Sequence, residues 1–278
     1  MKSTLRLARG KFSSWKHDYK ILAALLLNLA FCIIHSSKYT AYCQVLDLPF
    51  HFLEPYVLIG SAVEKFTGIF LGCILLLSDS PFFNACSNYE ILRVGANTWT
   101  RSRFIYTLLA VVIYNFSSII FTALISILTF RTSFTNEWSQ AMILLAEQNP
   151  AFAISAFKLT FPYPGFLDAF GPYSAAIITC LFNSAYCIVI TITIFLINVY
   201  FQSNIGWVAA ISVHIISYII YMNSFALGIK KSLLECALPA AQFNTGDMLS
   251  PLFSINIFLI IILFGFYLSD KISSKLIP

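Results

Sequence analysis

Three ionisable residues inside apolar segments are the strongest candidates for chemistry in this sequence. Glu64 and Lys65 interrupt the apolar segment 56–77, and His214 lies in a run of 61 residues, 169–229, without Asp, Glu, Lys or Arg. Ionisable side chains inside a bilayer are costly to bury and often mark an ion or substrate path. We therefore regard Glu64 and His214 as candidate functional residues of the membrane interior. The more ordinary interpretation of His214 is a neutral histidine that is hydrogen-bonded between helices.

The depth of Glu64 and Lys65 depends on where their helix ends. Neighbouring residues on a helix point about 100° apart, so the two charges do not pair with each other. If the helix ends at Leu77, Glu64 lies well inside the bilayer and needs a partner. If the helix continues through 78–83, both charges rise to the outer interface and Lys65 extends its amine toward water. We favour the second arrangement.

Sequence motifs of enzymes and nucleotide-binding proteins are missing. No histidine has the HExxH spacing of a metalloprotease, and the chain contains neither a GxSxG turn nor a GxxxxGK[ST] phosphate loop. We therefore expect a protein that is not an enzyme, with no catalytic residue, no metal site and no cofactor of its own. Any ATP that drives it would have to be bound by another chain.

The elements that must position these residues are membrane-spanning helices. Hydrophobic residues make up 59% of the chain and charged residues 10%, against about 25% charged in soluble proteins. About 20 apolar residues cross a bilayer as a helix. The sequence predicts an all-α integral membrane protein with six transmembrane helices, at 21–37, 56–77, 104–130, 173–200, 206–224 and 248–269.

The distribution of Lys and Arg predicts the orientation. Eleven of them lie in the N-terminal segment 1–20, the loop 78–103 and the tail 271–278, whereas five lie on the opposite face. Because cytoplasmic loops carry the excess of positive charge, both termini are expected in the cytoplasm, on either side of a permease-like domain at 21–270. The predicted outer loops are 38–55, 131–172 and 225–249.

The connecting segments carry structure of their own. Segment 1–20 mixes six cations with apolar residues, which favours a basic interfacial helix on an anionic leaflet, the alternative being a disordered tail. In the long outer loop, 136–157 is predicted to be helical with Asn136 as its cap. A second short amphipathic helix is expected at 230–238, ended by Pro239. Cys43 and Cys236 both fall in outer loops, and a disulfide between them would require that face to be oxidising.

The cytoplasmic loop 78–103 predicts a short, rigid helix. Ser87 or Asn88 can cap a helix that runs through Arg93, and Gly95 closes it. The entry to the third span is then anchored by an aromatic and two basic residues, namely Trp99, Arg101 and Arg103. Such a helix is suited to being pushed by a cytoplasmic partner, although an ordinary interfacial connector has the same composition.

Topology and loop together resemble a known family. The basic N-terminus, six spans with both ends inside and a short coupling helix between spans 2 and 3 resemble the permease subunits of ABC-2-type transporters. Ser78-Asp-Ser-Pro81 followed by Arg93-x-Gly95 and Trp99 is similar to the coupling region of bacterial members, and so is the partly helical outer segment 227–238. The length of the outer loop 131–172 departs from that pattern.

This resemblance implies a function. The chain would be the permease subunit of an ATP-driven exporter in a bacterial inner membrane, moving a peptide, a lipid or another hydrophobic compound. Its partners would be a cytoplasmic ATPase subunit that binds ATP and Mg, and a second permease, identical or homologous. The expected ATPase-coupling residues are Tyr89, Glu90, Arg93 and Trp99. No nucleic-acid partner is expected. The alternative is a secondary transporter or channel-like subunit that uses Glu64 and His214.

Overall fold

The computed structural model describes residues 2–81, 87–148, 150–223, 232–243 and 249–273. Helices make up nearly all of the described secondary structure, together with one pair of two-residue strands, β1 (Phe50–His51) and β2 (Thr132–Ser133). The helices are α1 (Lys2–Phe12), α2 (Tyr19–Leu46), α3 (Glu54–Ser61), α4 (Val63–Leu77), α5 (Ser87–Val94), α6 (Ala96–Thr129), α7 (Gln140–Glu147), α8 (Ala151–Phe157), α9 (Pro164–Ala169), α10 (Pro172–Phe201), α11 (Gly206–Met222), α12 (Pro239–Phe243) and α13 (Leu249–Ser273).

The described helices confirm an all-α, multi-pass membrane protein. Four of them, α2, α6, α10 and α13, are long and apolar enough to cross a bilayer. The pair α3 and α4 qualifies as a fifth span if counted together, although the chain bends by 89° between them, at Ala62. Helix α11 is apolar but has 17 residues, a length of about 25 Å. The fifth predicted crossing, 206–224, therefore corresponds to a helix that is shorter than α2, α6, α10 and α13.

The long helices run between two ends of the bundle. We call the end with the start of α6 basal and the end with β1 and β2 apical. At the basal end, Trp15 donates to the Tyr106 hydroxyl at 2.8 Å and joins the N-terminal segment to α6. At the same end Arg101 makes a bidentate contact with Asp270 near the end of α13, with both distances 2.8 Å. The apical end holds β1, β2 and α7–α9, since α2 and α6 lead into the two strands. Both described ends of the chain thus lie at the basal end.

Helix α4 approaches α2 and α6 closely because its contact face carries glycines. A Cβ on Gly72 would lie 2.0 Å from the Tyr114 hydroxyl, and one on Gly68 would lie 2.3 Å from the Phe31 ring. In return, the Tyr114 hydroxyl donates to the Ile69 carbonyl at 3.0 Å. Small residues four positions apart are typical of close helix contacts in membranes.

Buried asparagines tie helices together. Asn28 of α2 donates to Ser117 and accepts from Ser118 of α6, both at 3.0 Å. Asn198 near the end of α10 donates to the Ser80 carbonyl at 2.7 Å and accepts from the Gly206 N–H at 2.7 Å. Each asparagine thereby satisfies polar groups on separate segments.

A buried carboxylate organises the apical end. Glu54, at the start of α3, has no exposed surface and accepts four hydrogen bonds. The donors are the Tyr39 hydroxyl at 2.9 Å, the His51 N–H at 3.1 Å, the Ser139 N–H at 2.7 Å and the Ser139 hydroxyl at 2.8 Å. One side chain therefore joins α2, β1 and the start of α7.

The structure corrects several predicted boundaries. Helix α2 continues to Leu46, so the predicted outer loop 38–55 is mostly helical. Helix α6 already begins at Ala96, because Gly95 allows a sharp turn from α5, and the helix that contains the predicted third span therefore starts before residue 104. The predicted helix 136–157 is two helices separated near Pro150, and Ser139 rather than Asn136 caps the first, accepting from the Met142 N–H at 3.1 Å.

The predicted helix 230–238 and the disulfide also need correction. Pro239 begins α12 instead of ending a helix, as a proline at a first helical position can. Residues 230 and 231 lie outside the described residues, and 235–237 form a short 3₁₀ turn. Cys43 and Cys236 are both buried thiols, and no disulfide joins them. Cys43 sits within α2, not in a loop.

Replacing Glu54 tests its role at the apical end. We expect Glu54→Ala to cost about 2–3 kcal/mol of stability, because buried donors on Tyr39 and Ser139 lose their acceptor. The midpoint of thermal unfolding in detergent should fall by roughly 5 °C or more. Glu147→Ala is the matched control, since Glu147 is exposed on α7. Equal midpoints for the two variants would contradict the assigned role.

Candidate functional site

Helix α5 is held against α6 by a small apolar contact. Ile91 faces inward and packs with Ala96 and Trp99. Gly95 joins the two helices with φ at +83°, a conformation that side-chain-bearing residues rarely adopt. Its N–H donates to the Ile91 carbonyl at 2.8 Å. The predicted short helix is confirmed, and it turns directly into α6.

An ion pair and an indole fix α5 further. The Trp99 indole N–H donates to the Glu90 carboxylate at 2.9 Å. Arg103 also pairs with Glu90, and its guanidinium lies 5.2 Å from the Trp99 ring centroid. Burial raises the pKa of Glu90, but the hydrogen bond from Trp99 and the charge of Arg103 together outweigh it, so the pKa lies below its ordinary value. Glu90 is therefore ionised at neutral pH, as this contact requires.

The four predicted coupling residues divide into two pairs. Tyr89 and Arg93 are exposed on the outer face of α5, whereas Glu90 and Trp99 contact each other within the chain. Leu92 shares the outer face and is 76% exposed, the same fraction as Tyr89. Leu92 was not among the predicted coupling residues, although its position three residues after Tyr89 places it on the same helical face.

A basal cavity is lined by α1, α5 and the start of α6. It has a volume of about 850 Å³, and its charged lining consists of four cations and one acid, namely Arg6, Lys11, Arg93, Arg103 and Glu90. Burial lowers the pKa of Lys11, and the charge of Arg103 lowers it further. This cationic cavity could not be predicted from the sequence, because the segments 6–11 and 90–103 meet only in the folded chain.

His214 is enclosed by hydrogen bonds and an aromatic ring. Its Nδ1 lies 2.7 Å from the Tyr186 hydroxyl and its Nε2 lies 3.3 Å from the Thr67 hydroxyl. The Phe70 ring stacks on the imidazole at a centroid distance of 3.9 Å. Glu64 is exposed and lines the same cavity of about 260 Å³, while the hydrogen bonds of His214 go to Tyr186 and Thr67. The structure thus brings both candidates to one cavity without a direct contact.

The environment of Glu64 and Lys65 departs from the favoured arrangement, in which the helix continues through 78–83 and Lys65 extends to water. Helix α4 ends at Leu77, and the two residues lie in its first turn, directly after the bend at Ala62. Lys65 does not extend to water, since it is 8% exposed and its Nζ has no hydrogen-bond partner. The turn and the segment 158–163 line one cavity, and the Lys65 ammonium is buried at its wall.

The comparisons with known proteins identify no relative. Neither a family model, nor a curated protein, nor a solved structure matches the chain. Within the described ranges no three His, Cys, Asp or Glu side chains converge to hold a metal ion. The function has to be inferred from the residues of the chain itself.

Limited proteolysis tests the contact that fixes α5. We expect Glu90→Ala to speed tryptic cleavage after Arg93 by at least about fivefold, because a half-exposed ion pair and an indole hydrogen bond together contribute about 1 kcal/mol or more. Cleavage after the exposed Arg131 at the apical end serves as the internal reference. Tyr89→Ala is the matched control, since it removes an exposed side chain of the same helix. Equal rates in both variants would show that Glu90 does not hold α5.

Proposed function

We propose that this chain is the membrane-spanning subunit of an ATP-driven exporter of the ABC-2 type. In this proposal the chain crosses a bacterial inner membrane six times with both termini in the cytoplasm. A separate ATPase chain binds ATP and Mg beneath α5, and a second permease completes the pathway. The observation that carries the proposal is α5 itself, which is fixed to α6 on one face and presents Tyr89, Leu92 and Arg93 on the other.

A helix that transmits force must move as one body with the element it drives. Helix α5 meets this requirement through the Glu90 contacts to Trp99 and Arg103 and through the direct turn at Gly95. Helix α6 has 34 residues, about 50 Å of rigid element. A displacement of α5 by the ATPase would therefore reach the apical end. The ATPase must contact α5 differently in its two states, because a partner shifts an equilibrium only by its differential affinity.

The charge of the basal end supports the cytoplasmic placement. Cations of α1 and α6 surround the basal cavity, and α1 packs along α6 with Ala8 buried. Positive residues favour the cytoplasmic side and are attracted by anionic lipids of the inner leaflet. The proposed cargo is hydrophobic or amphipathic, in keeping with an apolar bundle rich in Phe and Tyr.

Affinity isolation tests the docking face. The tagged chain, extracted in mild detergent from its host, should retain a stoichiometric P-loop ATPase identified by mass spectrometry. We expect the double variant Tyr89→Ala with Arg93→Ala to lose at least about tenfold of that ATPase, because an aromatic and an arginine are typical anchors of an interface. The protein itself should remain monodisperse, since both side chains are exposed.

A matched double variant at the apical end completes this test. Arg131→Ala with Phe134→Ala also removes an exposed cation and an exposed aromatic, and it should retain the ATPase. Retention by the Tyr89/Arg93 variant, or loss from both variants, would contradict docking on α5. A preparation with no ATPase at all would remove the basis for ATP-driven transport.

A second candidate function is proton-coupled transport, favoured by the cavity that Glu64 and His214 share. In that case protein in vesicles should carry protons under an applied potential, as read by an enclosed pH-sensitive dye. Glu64→Gln and His214→Gln should each abolish this flux, and Glu147→Gln should leave it intact. A flux that persists in the first two variants, or that is absent from the wild type, would exclude this candidate.

A further inference from the structure

An apical cavity of about 280 Å³ lies between the first turn of α4, the segment 158–163 and the end of α11. It is separate from α5 and from the basal cavity. Its wall combines cations, a hydroxyl and aromatic rings, including Ser61, Lys65, Lys158, Phe161, Tyr163 and Tyr221. Such a mixture can recognise a ligand that has both a charged group and an apolar body.

Two buried polar atoms of this cavity have no partner. The Ser61 hydroxyl belongs to a residue that is 2% exposed, and neither this hydroxyl nor the Lys65 ammonium makes a hydrogen bond within the described structure. The ion pairs of the described residues do not include Lys65 either. A buried cation without a counter-charge is strongly unfavourable. A ligand anion would supply both the charge and the acceptors.

The start of α4 adds backbone donors to the same cavity. Ala62 precedes the helix in an extended conformation and makes no side-chain cap. Val63 and Glu64 follow it and line the cavity. The first N–H groups of a helix have no intrahelical acceptor and carry a partial positive charge, which favours an anion. In α4 these are the N–H groups of Val63 and Glu64, since the Lys65 and Phe66 N–H groups donate to the Ala62 carbonyl at 3.1 and 2.9 Å. Because the side chain of Ala62 cannot accept a hydrogen bond from these N–H groups, a ligand anion can serve as their acceptor.

The balance of charge around the cavity is positive. Lys158 is exposed at its rim, and Lys38 of α2 lies within electrostatic range of Lys65. Glu64 opposes them, but its side chain is exposed. The charge of Glu235 acts on Tyr163 and Tyr221, and its carboxylate accepts from the Ser232 N–H at 3.4 Å.

The cavity continues into the groove between α4 and α11. Glu64 and Tyr218 line both the apical cavity and the cavity beside His214, whose remaining wall is Thr67 and Ile215. This groove is largely apolar, and Ile215 is half exposed on the outside of the helix bundle. An acyl chain lying in the groove would place an attached headgroup at Ser61 and Lys65.

We propose that this cavity and groove bind an anionic amphiphile, an acyl chain that carries a phosphate or carboxylate headgroup. The headgroup accepts from the Lys65 ammonium, the Ser61 hydroxyl and the N–H groups of Val63 and Glu64. The acyl chain lies along α4 and α11. The site is complete within one chain and does not depend on an ATPase, so it stands or falls separately from the proposed transport function.

Lipid retention measured by native mass spectrometry tests the site. The purified full chain, stripped of lipid in a neutral detergent, is incubated separately with phosphatidylglycerol, oleate, phosphatidylcholine and inorganic phosphate. We expect phosphatidylglycerol or oleate to bind at least about tenfold more tightly than phosphatidylcholine, and Lys65→Met to remove that preference. Ser61→Ala should weaken anionic binding by a smaller factor. Selective binding of either anionic lipid identifies the source of the headgroup.

Two further variants separate the headgroup from the acyl chain. Ile215→Trp should fill the groove and weaken lipid binding while the Lys65 site is left intact. Arg131→Gln, an exposed cation at the same end, is the charge control and should bind as the wild type does. Lys65→Met should fold, because it exchanges an unpaired buried charge for an apolar chain of similar length.

Three results would overturn the proposal. Unchanged binding of anionic lipid by Lys65→Met would remove the assigned headgroup contact. Equal retention of phosphatidylcholine and phosphatidylglycerol, with no binding of oleate, would remove the charge preference. Inorganic phosphate that binds as tightly as either lipid would make the site one for a free anion rather than for an amphiphile.

Discussion

The structure depends on one constraint: helices that are apolar on nearly every face have little hydrophobic preference for any particular neighbour in a bilayer. Polar and steric contacts must therefore decide which helices meet. Asn28 joins α2 to α6, and Asn198 joins the end of α10 to the turns around it. Gly72 lets α4 come close enough for Tyr114 to reach a backbone carbonyl. At the apical end the hydrogen bonds of Glu54 hold α2 against the start of α7. The apical segments are short and irregular, so their positions depend on such specific polar contacts.

The same logic separates the two faces of α5. A helix of eight residues has little stability of its own, so its order comes from Glu90, Ile91 and the turn into α6. With these inward contacts made, Tyr89, Leu92 and Arg93 remain exposed, and Arg93 also lies at the edge of the basal cavity. An exposed aromatic, an exposed leucine and an arginine on a short rigid helix form a surface that another protein can use. The proposed role of α5 follows from this arrangement, in which some residues fix the helix to α6 and their neighbours are exposed to a partner.

The bend at Ala62 has a comparable consequence at the other end. A straight helix through 54–77 would have buried its backbone donors within its own hydrogen-bond ladder. The break instead begins a new helix at Val63 and directs its first turn into a cavity beside Ser61 and Lys65. A buried cation, an unpartnered hydroxyl and the N–H groups of Val63 and Glu64 are thereby concentrated at one place. All of these groups are hydrogen-bond donors that an anion would satisfy. The apolar groove beside them is the reason to expect that this anion carries an acyl chain.

The sequence alone determined the membrane class, most of the long helices and the short helix before Gly95, because hydropathy, helix length and glycine act locally. It also marked Glu64, Lys65 and His214 as unusual, since charge in an apolar run is visible in one dimension. Tertiary structure decided what these residues contact: His214 meets Tyr186 and Thr67, Lys65 is buried after a bend, and Glu90 faces Trp99. The spacing Gly68-x-x-x-Gly72 was a readable signal for close packing, whereas the carboxylate of Glu54 was not, because its partners come from 39, 51 and 139. Contacts between distant segments depend on the path of the whole chain, and no local pattern encodes that path.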